Sequence, residues 1–462
     1  MSEPLWTARE IAAATGGRAG GDFAVTGVSF DSREIGPGDL FVALAGVRDG
    51  HEFAAQAFKQ GAAGVLASKP VDGPSVQVAD TLKALEDLGI AARDRATHAR
   101  RGAVTGSVGK TSVTQAVAAG LARAGRSHNS VKSFNNHIGV PLTLARMPRD
   151  TERAVFEIGM NHAEEIVPLS RMVQPHVAAI TTVGPVHIEA FADGEAGVAR
   201  AKAEIFAGLK PGGVAVLNAD NQWFDYLAGE ARKVGAEVWS FGQAGTTARL
   251  LDFQPRTQGA AVRAELDGRP LDFPIRQSGF HWGPNSLCVL LMLRALGVEE
   301  ATALAALENF EPLAGRGAER EVHVAAGVFT LVDESYNANP ISMQAAFRSL
   351  GARRPKGRRI VALTDMLELG PDEAQYHAAL AEPILAAQVD LVFCAGPLMK
   401  SLFDALPPTR RGGYAETAAG LAPLVTTAVE PGDLVMVKGS NGSRAASIAA
   451  ALAALDRAGG GA

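Results

Sequence analysis

Thr105-Gly106-Ser107-Val108-Gly109-Lys110-Thr111-Ser112 follows a short apolar run, Gly102-Ala103-Val104, and opens an alanine-rich helical pattern from Ser112 to Ala124. Small residues let backbone N–H groups close around a phosphate, and the helix N-terminus adds partial positive charge. Lys110 adds a full charge, and the Thr111 hydroxyl is placed to hold Mg²⁺. The stretch therefore predicts a protein that uses ATP or GTP. The P-loop pattern is incomplete, because its first glycine falls at Val104. An ordinary glycine-rich strand-to-helix turn is the alternative reading.

On the C-terminal side, apolar runs at Ala154–Ile158, Val177–Thr182 and Val214–Leu217 read as buried strands with helical patterns between them. Strands alternating with helices predict a mostly parallel, doubly wound α/β sheet whose ligands bind beyond the strands' carboxyl ends. Residues 247–276 read as a β-rich excursion. On the N-terminal side, residues 1–98 form a first, small α/β unit. It has a helix from Thr7 to Thr15, strands at Val25–Phe30, Leu40–Leu44 and Gly64–Ala67, and a helix from Glu52 to Gln60. The arginine-rich stretch Arg93–Arg101 reads as a helix end running into a linker. After Gly315-Arg316-Gly317, strands at Val328–Val332, Ile360–Leu363, Leu391–Ala395 and Leu434–Val437 alternate with helices such as Ser342–Leu350 and Glu373–Ala387. This third α/β unit has no G-x-G-x-x-G after a strand, so a dinucleotide-dependent oxidoreductase is not supported.

A chain of 462 residues exceeds one ordinary core and predicts about three domains. Its net charge of −5 gives no general attraction to nucleic acid. Cys288 and Cys394 sit apart in apolar runs and read as buried thiols in a reducing compartment. Met1–Trp6 lacks a basic n-region and an apolar h-region, and no apolar run reaches membrane-span length. A cytoplasmic protein is expected.

Several polar segments stand at predicted strand ends. Glu157 directly follows Ala154-Val155-Phe156, where a carboxylate beside a phosphate loop can hold Mg²⁺ or serve as a structural ion pair. His187, in Val183-Gly184-Pro185-Val186-His187-Ile188-Glu189, reads alone as structural more readily than as a ligand. Lys202 reads alone as part of a solvated helix face. Asn135-Asn136-His137-Ile138-Gly139-Val140-Pro141 is either a rigid polar binding loop or a plain turn. His281 and Asn285 are spaced to share a helix face, with Gly283 and Pro284 between them. Asp333–Pro340, Asp365–Gly370 and Val437–Arg444 each follow a strand, which favours a binding face.

Taken together, these segments resemble the Mur ligases, the ATP-dependent amide-forming enzymes of peptidoglycan precursor synthesis. TGSVGKTS at 105–112 is similar to the family's TGTNGKT loop, which also lacks the first P-loop glycine. DESYNANP at 333–340 resembles a family D-D-S-Y-N-A-N-P segment, with Glu334 in place of Asp. DMLELG at 365–370, KGSNGSR at 438–444, NNHIGVP at 135–141 and VGPVHIE at 183–189 are similar too. The best match within the family is the member that joins D-alanyl-D-alanine to UDP-MurNAc-tripeptide. The Asp-Asn-Pro motif expected of the sibling that adds diaminopimelate or lysine is not found.

The resemblance implies three domains: a UDP-sugar-binding unit (1–98), a central ATP-binding P-loop unit (99–316), and a Rossmann-like unit on the dipeptide side (317–462). It implies ATP and two Mg²⁺ ions as cofactors, and a monomer that uses UDP-MurNAc-tripeptide and D-alanyl-D-alanine. Thr105, Gly106, Ser107, Val108, Gly109, Lys110, Thr111 and Ser112 would hold the ATP phosphates. His281 and Asn285 would lie near the adenine, Arg316 at the phosphates and Asp333 at the ribose. Tyr336 and Asn337 would contact the nucleotide or bridge domains. Thr111, Glu157, His187 and a carbamylated Lys202 would ligate metal. Lys110, Lys202, His187 and Arg316 would form the catalytic set. Asp31, Ser32, Arg33, Asn135 and Asn136 would hold the UDP-sugar. Asp365, Glu368, Lys438 and Asn441 are candidates for the dipeptide side. Another ligase of the same superfamily, such as a folylpolyglutamate synthase, is the nearest alternative. A GTPase-like switch would need an N/TKxD loop, and none follows in a suitable place.

Overall fold

The computed structural model describes residues 3–46, 48–131, 133–186, 188–256 and 259–456. Besides a two-stranded antiparallel pair, Trp6–Thr7 with Ala24–Val25, three larger sheets follow one another along the chain. The first runs in the order Arg18–Ala19, Ser75–Gln77, Gly64–Ala67, Asp39–Val42, Gly27–Ser29; only its first pair is antiparallel. The helix Ala8–Thr15 starts at a capping box, with the Thr7 N–H donating to Glu10 Oε2 (2.8 Å) and the Glu10 N–H to Thr7 Oγ1 (3.3 Å). It ends at Gly16 in the left-handed region.

The second sheet has nine strands. The parallel part runs Ser127–Asn129, Arg153–Glu157, Arg100–Thr105, Val177–Ile180, Val214–Asn218, Glu237–Gly242, Ala248–Pro255, and two antiparallel strands, Ala260–Leu266 and Arg269–Ile275, extend it. Alternate residues of each strand enter opposite cores, as the two-residue period of a strand requires. Val104, Val155 and Ala179 pack beneath the helices Lys110–Ala124 and Trp282–Ala295. Ala103, Phe156 and Ile180 pack beneath Ile166–Val173 and Phe224–Lys233. Burial on both faces explains the continuous apolar runs. Chain order places Arg100–Thr105 between the strands Arg153–Glu157 and Val177–Ile180. The topological switch therefore lies at the carboxyl end of Arg100–Thr105, where open α/β sheets bind ligands.

The third sheet runs Ala318–Val324, Gly327–Glu334, Leu434–Lys438, Arg359–Thr364, Leu391–Ala395, Arg411–Ala415, antiparallel only at its first pair. The last strand inserts beside Gly327–Glu334 and so brings Lys438 into register with Glu334.

Some elements differ from expectation. Arg100 and Arg101 belong to a strand, four residues after the helix Thr81–Arg95 ends. Arg101 is buried, and its guanidinium donates to the carbonyls of Val173 (2.8 Å) and Ala99 (3.0 Å), so it closes a helix end rather than a linker. The helix expected over Glu373–Ala387 divides into Glu373–Ala378 and Ala381–Ala386, because Pro383 has no N–H to continue the ladder. The excursion at 247–276 joins the edge of the main sheet through Phe241 opposite Ala248. Among the described residues, no helix is long and apolar enough to cross a membrane.

Two histidines predict how the central unit responds to acid. The His128 ring donates to the Thr143 carbonyl (2.6 Å), and His176 Nδ1 accepts from the Arg101 N–H (3.0 Å). Burial pushes both down to about 4. Unfolded chains take up these protons below about 6.5, so the stability from the neutral rings is intact above that pH and falls as pH drops towards 4. Thermal melts should show Tm falling steadily across that window, and His128→Gln should flatten the decline.

Candidate active site

The carboxyl ends of strands from the second and third sheets meet around a cleft of about 400 Å³. Ser107, Val108, Gly109, Lys110, Thr111, Ser112, Asn135, Glu157, His281, Asn285, Arg316, Tyr336 and Asn337 line it. Chain positions more than two hundred residues apart are thus brought to one place, as the motif reading expects.

The loop 105–109 leaves its strand with Gly106 at φ +148° and enters the helix Lys110–Ala124 through Gly109 at φ +88°. The Ser107 N–H donates to the Thr182 carbonyl (2.8 Å), and the Thr181 hydroxyl donates to the Val108 carbonyl (2.5 Å). These bonds hold the loop open from behind. The Lys110 ammonium donates to the Gly106 carbonyl (2.7 Å) and so sits across the mouth of the loop. Burial lowers its pKa; Glu157 opposes that shift and Arg316 adds to it. Thr105 and Gly106 lie behind the lining, where Thr105 accepts the Thr181 N–H (3.0 Å). A Cβ at Gly106 would stand 2.0 Å from Thr181 Oγ1 and 3.1 Å from the Thr181 nitrogen. Gly106→Ala is accordingly expected to cost about 2–3 kcal/mol of stability and to weaken ATP binding by about tenfold or more. Thermal melts and calorimetric titration with ADP check both.

Glu157 ends the strand Arg153–Glu157 and is 1% exposed. One carboxylate oxygen accepts from the Asn135 amide (2.6 Å), and the other is buried with no hydrogen-bond partner among the described residues. A bare buried carboxylate oxygen is costly unless a cation meets it. Thr111 lines the same cleft. No group of three His, Cys, Asp or Glu side chains forms a metal cage among the described residues. That donor set fits Mg²⁺, which keeps waters and phosphate oxygens and needs few protein ligands. His187 lies outside the described residues.

Lys202 does not line the cleft and is 2% exposed on the helix Glu195–Ala203. Burial first, and the charge of Lys110 second, hold its pKa well below the usual lysine range. That shift favours the neutral amine, the form that adds CO₂.

Across the cleft, the Arg316 guanidinium stacks 4.0 Å from the Tyr336 ring centre, and the Tyr336 hydroxyl meets Ser133 Oγ at 2.5 Å. This pair spans from the third unit to the second. Asp333 does not line the cleft. Its carboxylate accepts the N–H groups of Gly315 (3.2 Å) and Ser335 (3.1 Å) and fixes the loops that present Arg316 and Tyr336. Glu334, the position that departs from the family's Asp, lines the cleft and pairs with the buried Lys438 ammonium (3.3 Å). Lys438 also donates to the Asn337 carbonyl (3.1 Å). It therefore forms part of the cleft wall. Asn285 packs against the phosphate loop, 3.3 Å from where a Gly109 Cβ would stand. His281 is held below its usual pKa by burial.

Asp31, Ser32, Arg33 and Asn136 do not line this cleft. Arg33 forms a two-pronged pair with Asp31 (2.9 and 2.6 Å), and Ser32 is buried. The Asn136 side-chain oxygen accepts the Gly139 N–H (2.9 Å) at the start of the helix Gly139–Ala145. Phe30 and Phe134 nevertheless pack with ring centres 6.0 Å apart, which joins the Asp31 segment to the Asn135 segment. Residue-by-residue reading missed Asn218, Thr182, Ser133, Asn339 and Ile341 in the lining. Asn218 ends its strand, so the strand-end rule was signal enough for it. Ile341 and the small Ala345 and Ala346 carry no chemical signature.

The chain belongs to the Mur ligase family. Profiles of the Mur ligase family catalytic domain, the Mur ligase middle domain and the Mur ligase glutamate ligase domain match residues 24–104, 104–293 and 320–441. The UDP-N-acetylmuramoyl-tripeptide–D-alanyl-D-alanine ligase of Escherichia coli is 35% identical over 382 residues, 82% of each chain. The enzyme of that name from Rickettsia prowazekii is 29% identical over 95% of this chain and 97% of its own. The crystal structure of MurF from Acinetobacter baumannii superposes with a TM-score of 0.85 at 28% identity, covering 98% of this chain and 99% of that one. MurF from Thermotoga maritima, solved in complex with ADP, shares the fold with a TM-score of 0.78 at 23% identity, over 93% and 97% of the two chains.

Proposed function

We propose that this chain joins D-alanyl-D-alanine to UDP-MurNAc-tripeptide at the expense of ATP, giving UDP-MurNAc-pentapeptide, ADP and phosphate. The observation behind this reading is the single cleft in which the phosphate loop and Glu157 face Arg316, Asn337 and Lys438 of another sheet. A carboxylate is a poor electrophile, and water competes for any activated form, so the reaction needs two closely apposed halves. In the first step a carboxylate oxygen of the tripeptide attacks the γ-phosphorus and the bond to ADP breaks. Lys110 and Arg316 offset the charge of the transferring phosphoryl group. In the second step the dipeptide amine attacks the acyl phosphate, the C–O bond breaks, and phosphate leaves with the oxygen that came from the tripeptide.

Magnesium held by Thr111, Glu157, His187 and a carbamylated Lys202 would neutralise repulsion between the carboxylate and the triphosphate. Lys202, whose burial favours the neutral amine, would supply the carbamate, and Asn135 keeps Glu157 oriented through its 2.6 Å hydrogen bond. The units 1–98, 99–316 and 317–462 would take the UDP-sugar, ATP and the dipeptide. Asp31, Ser32, Arg33, Asn135 and Asn136 would lie on the UDP-sugar path, which the Phe30–Phe134 contact supports. Thr105–Ser112, His281, Asn285, Tyr336 and Asn337 would surround the nucleotide, and Asp333 would act by fixing their loops. One chain would suffice, as a cytoplasmic monomer.

The test is phosphate release from ATP with UDP-MurNAc-tripeptide, offering D-alanyl-D-alanine, diaminopimelate, L-lysine and L-glutamate in parallel. Turnover with D-alanyl-D-alanine alone is expected. Turnover with another amine instead would move the chain to a different branch of the family, and ATP binding without turnover on any amine would remove the ligase reading.

A further inference from the structure

Ser133-Phe134-Asn135 lies between the strand Ser127–Asn129 and the helix Gly139–Ala145 and belongs to neither. Three consecutive side chains there reach three different units. The Ser133 hydroxyl meets the Tyr336 hydroxyl of the third unit at 2.5 Å. The Phe134 ring packs on Phe30 of the first, with ring centres 6.0 Å apart. The Asn135 amide donates to Glu157 of the second at 2.6 Å. One short segment thus touches the ring that carries Arg316, the residue before Asp31, and the carboxylate that shares the cleft with the phosphate loop.

Each contact is anchored on its far side. Arg146 lies 5.9 Å from the Phe134 ring centre, and its Nε–H donates to the Val28 carbonyl (2.5 Å), which ties the Phe134 seat to the strand Gly27–Ser29 that leads to Asp31. The Gly159 N–H donates to the Asn135 carbonyl (2.8 Å), and a Cβ on Gly159 would stand 2.8 Å from Asn135 Cγ. Only a glycine there lets the amide lie against the strand end that bears Glu157. The Tyr336 N–H donates to the Gly315 carbonyl (3.0 Å), and its ring lies 4.0 Å from the Arg316 guanidinium, so a shift of Tyr336 carries Arg316 with it. The segment itself has no helix or strand ladder. Its N–H groups make a 2.9 Å bond from Asn135 to the Ser133 carbonyl and a longer one, 3.4 Å, from Phe134 to the Val131 carbonyl. Side-chain contacts therefore set its place, and a packed chain of such contacts is what carries energy between sites.

We propose that Ser133 and Phe134 are positioning residues that couple the sugar side of the enzyme to its phosphate side. A UDP-sugar substrate that fixes the Phe30–Arg33 segment seats Phe134, and with it the residues on either side. Asn135 then aims Glu157, Ser133 holds Tyr336 and Arg316 over the cleft, and the nucleoside triphosphate binds more tightly. By linkage the triphosphate strengthens the sugar side by the same factor. This rests on the ligase reading above. Neither residue touches a reacting atom.

The experiment titrates a non-hydrolysable ATP analogue with Mg²⁺ into the full chain by calorimetry, with and without saturating UDP-MurNAc-tripeptide. In the wild type the tripeptide should tighten the analogue about tenfold. Ser133→Ala should cut that gain to about twofold or less, and leave affinity for the tripeptide alone within about twofold. Ser133→Thr keeps the hydroxyl and should keep most of the gain. Phe134→Leu loosens the seat on Phe30 and should lose the gain too. Tyr336→Phe removes the partner hydroxyl but keeps the ring beside Arg316, so adding Ser133→Ala to it should cost nothing further. An unchanged gain in Ser133→Ala, losses that add in the double variant, or no gain in the wild type would overturn the proposal. A tripeptide that fails to bind where the ATP analogue binds would instead overturn the substrate reading, and the coupling with it.

Discussion

Lys110→Met should lower kcat by about a thousandfold or more, the order expected when a preorganised charge is removed from a phosphoryl-transfer site. Three cations line the cleft: Lys110, Arg316 and Lys438. Lys438 is already matched by Glu334 at 3.3 Å. Arg316 lies over the Tyr336 ring. Lys110 alone stands at the mouth of the phosphate loop, with its ammonium 2.7 Å from the Gly106 carbonyl. A triphosphate would draw it off that carbonyl, so the observed bond is a resting position. Methionine keeps the unbranched stem and removes the charge. Because burial already lowers the Lys110 pKa, the substitution should leave Tm unchanged or slightly raised. Steady-state phosphate release together with a thermal melt checks both. A loss of less than about tenfold would mean that the loop does not hold the transferred phosphate.

Lys202→Met carries the second large effect, and here activity and stability should move in opposite directions. The amine is buried with its pKa held well below the usual range, so the folded protein bears the cost of a polar group without a counter-charge. An apolar side chain of similar length removes that cost and should raise Tm. The unfolded chain keeps this lysine protonated up to about pH 10, and the folded protein gives the proton up at lower pH. The wild-type penalty is therefore largest at low pH and fades as pH rises towards the unfolded value, so the gain in Tm should shrink over the same range. Activity should fall by about a thousandfold if the carbamate supports catalysis. Lys202→Ala with added short carboxylates should recover part of it. Lys202→Met with near wild-type turnover, or Lys202→Ala that no carboxylate restores, would count against the carbamate.

Much of this was legible because local chemistry announces itself. The phosphate loop needs glycines, a lysine and a following helix in consecutive positions. Strands buried on both faces need unbroken apolar runs, which is why Ala154–Ile158 and Leu391–Ala395 stood out. Edge strands did not. Ala318–Val324, with sequence AEREVHV, and Arg411–Ala415, with two glycines, carry no apolar run to mark them, because an edge strand has only one neighbour and tolerates charge. Lys202 looked like a solvated position because charged side chains default to the surface; only the packing around the helix Glu195–Ala203 shows it buried. Asp333 and Glu334 are adjacent and both acidic, and no spacing rule tells which one faces the cleft. The pairing of Glu334 with Lys438 and the capture of Asp333 by two loop amides decide it.

The central step of the proposed chemistry is the passage of the tripeptide carboxylate through an acyl phosphate. The direct test uses UDP-MurNAc-tripeptide labelled with ¹⁸O in that carboxylate, with ATP and D-alanyl-D-alanine, and mass analysis of the phosphate released. One ¹⁸O atom should appear in each phosphate, with pentapeptide formed in equal amount. Phosphate free of the label, alongside amide product, would contradict the mechanism.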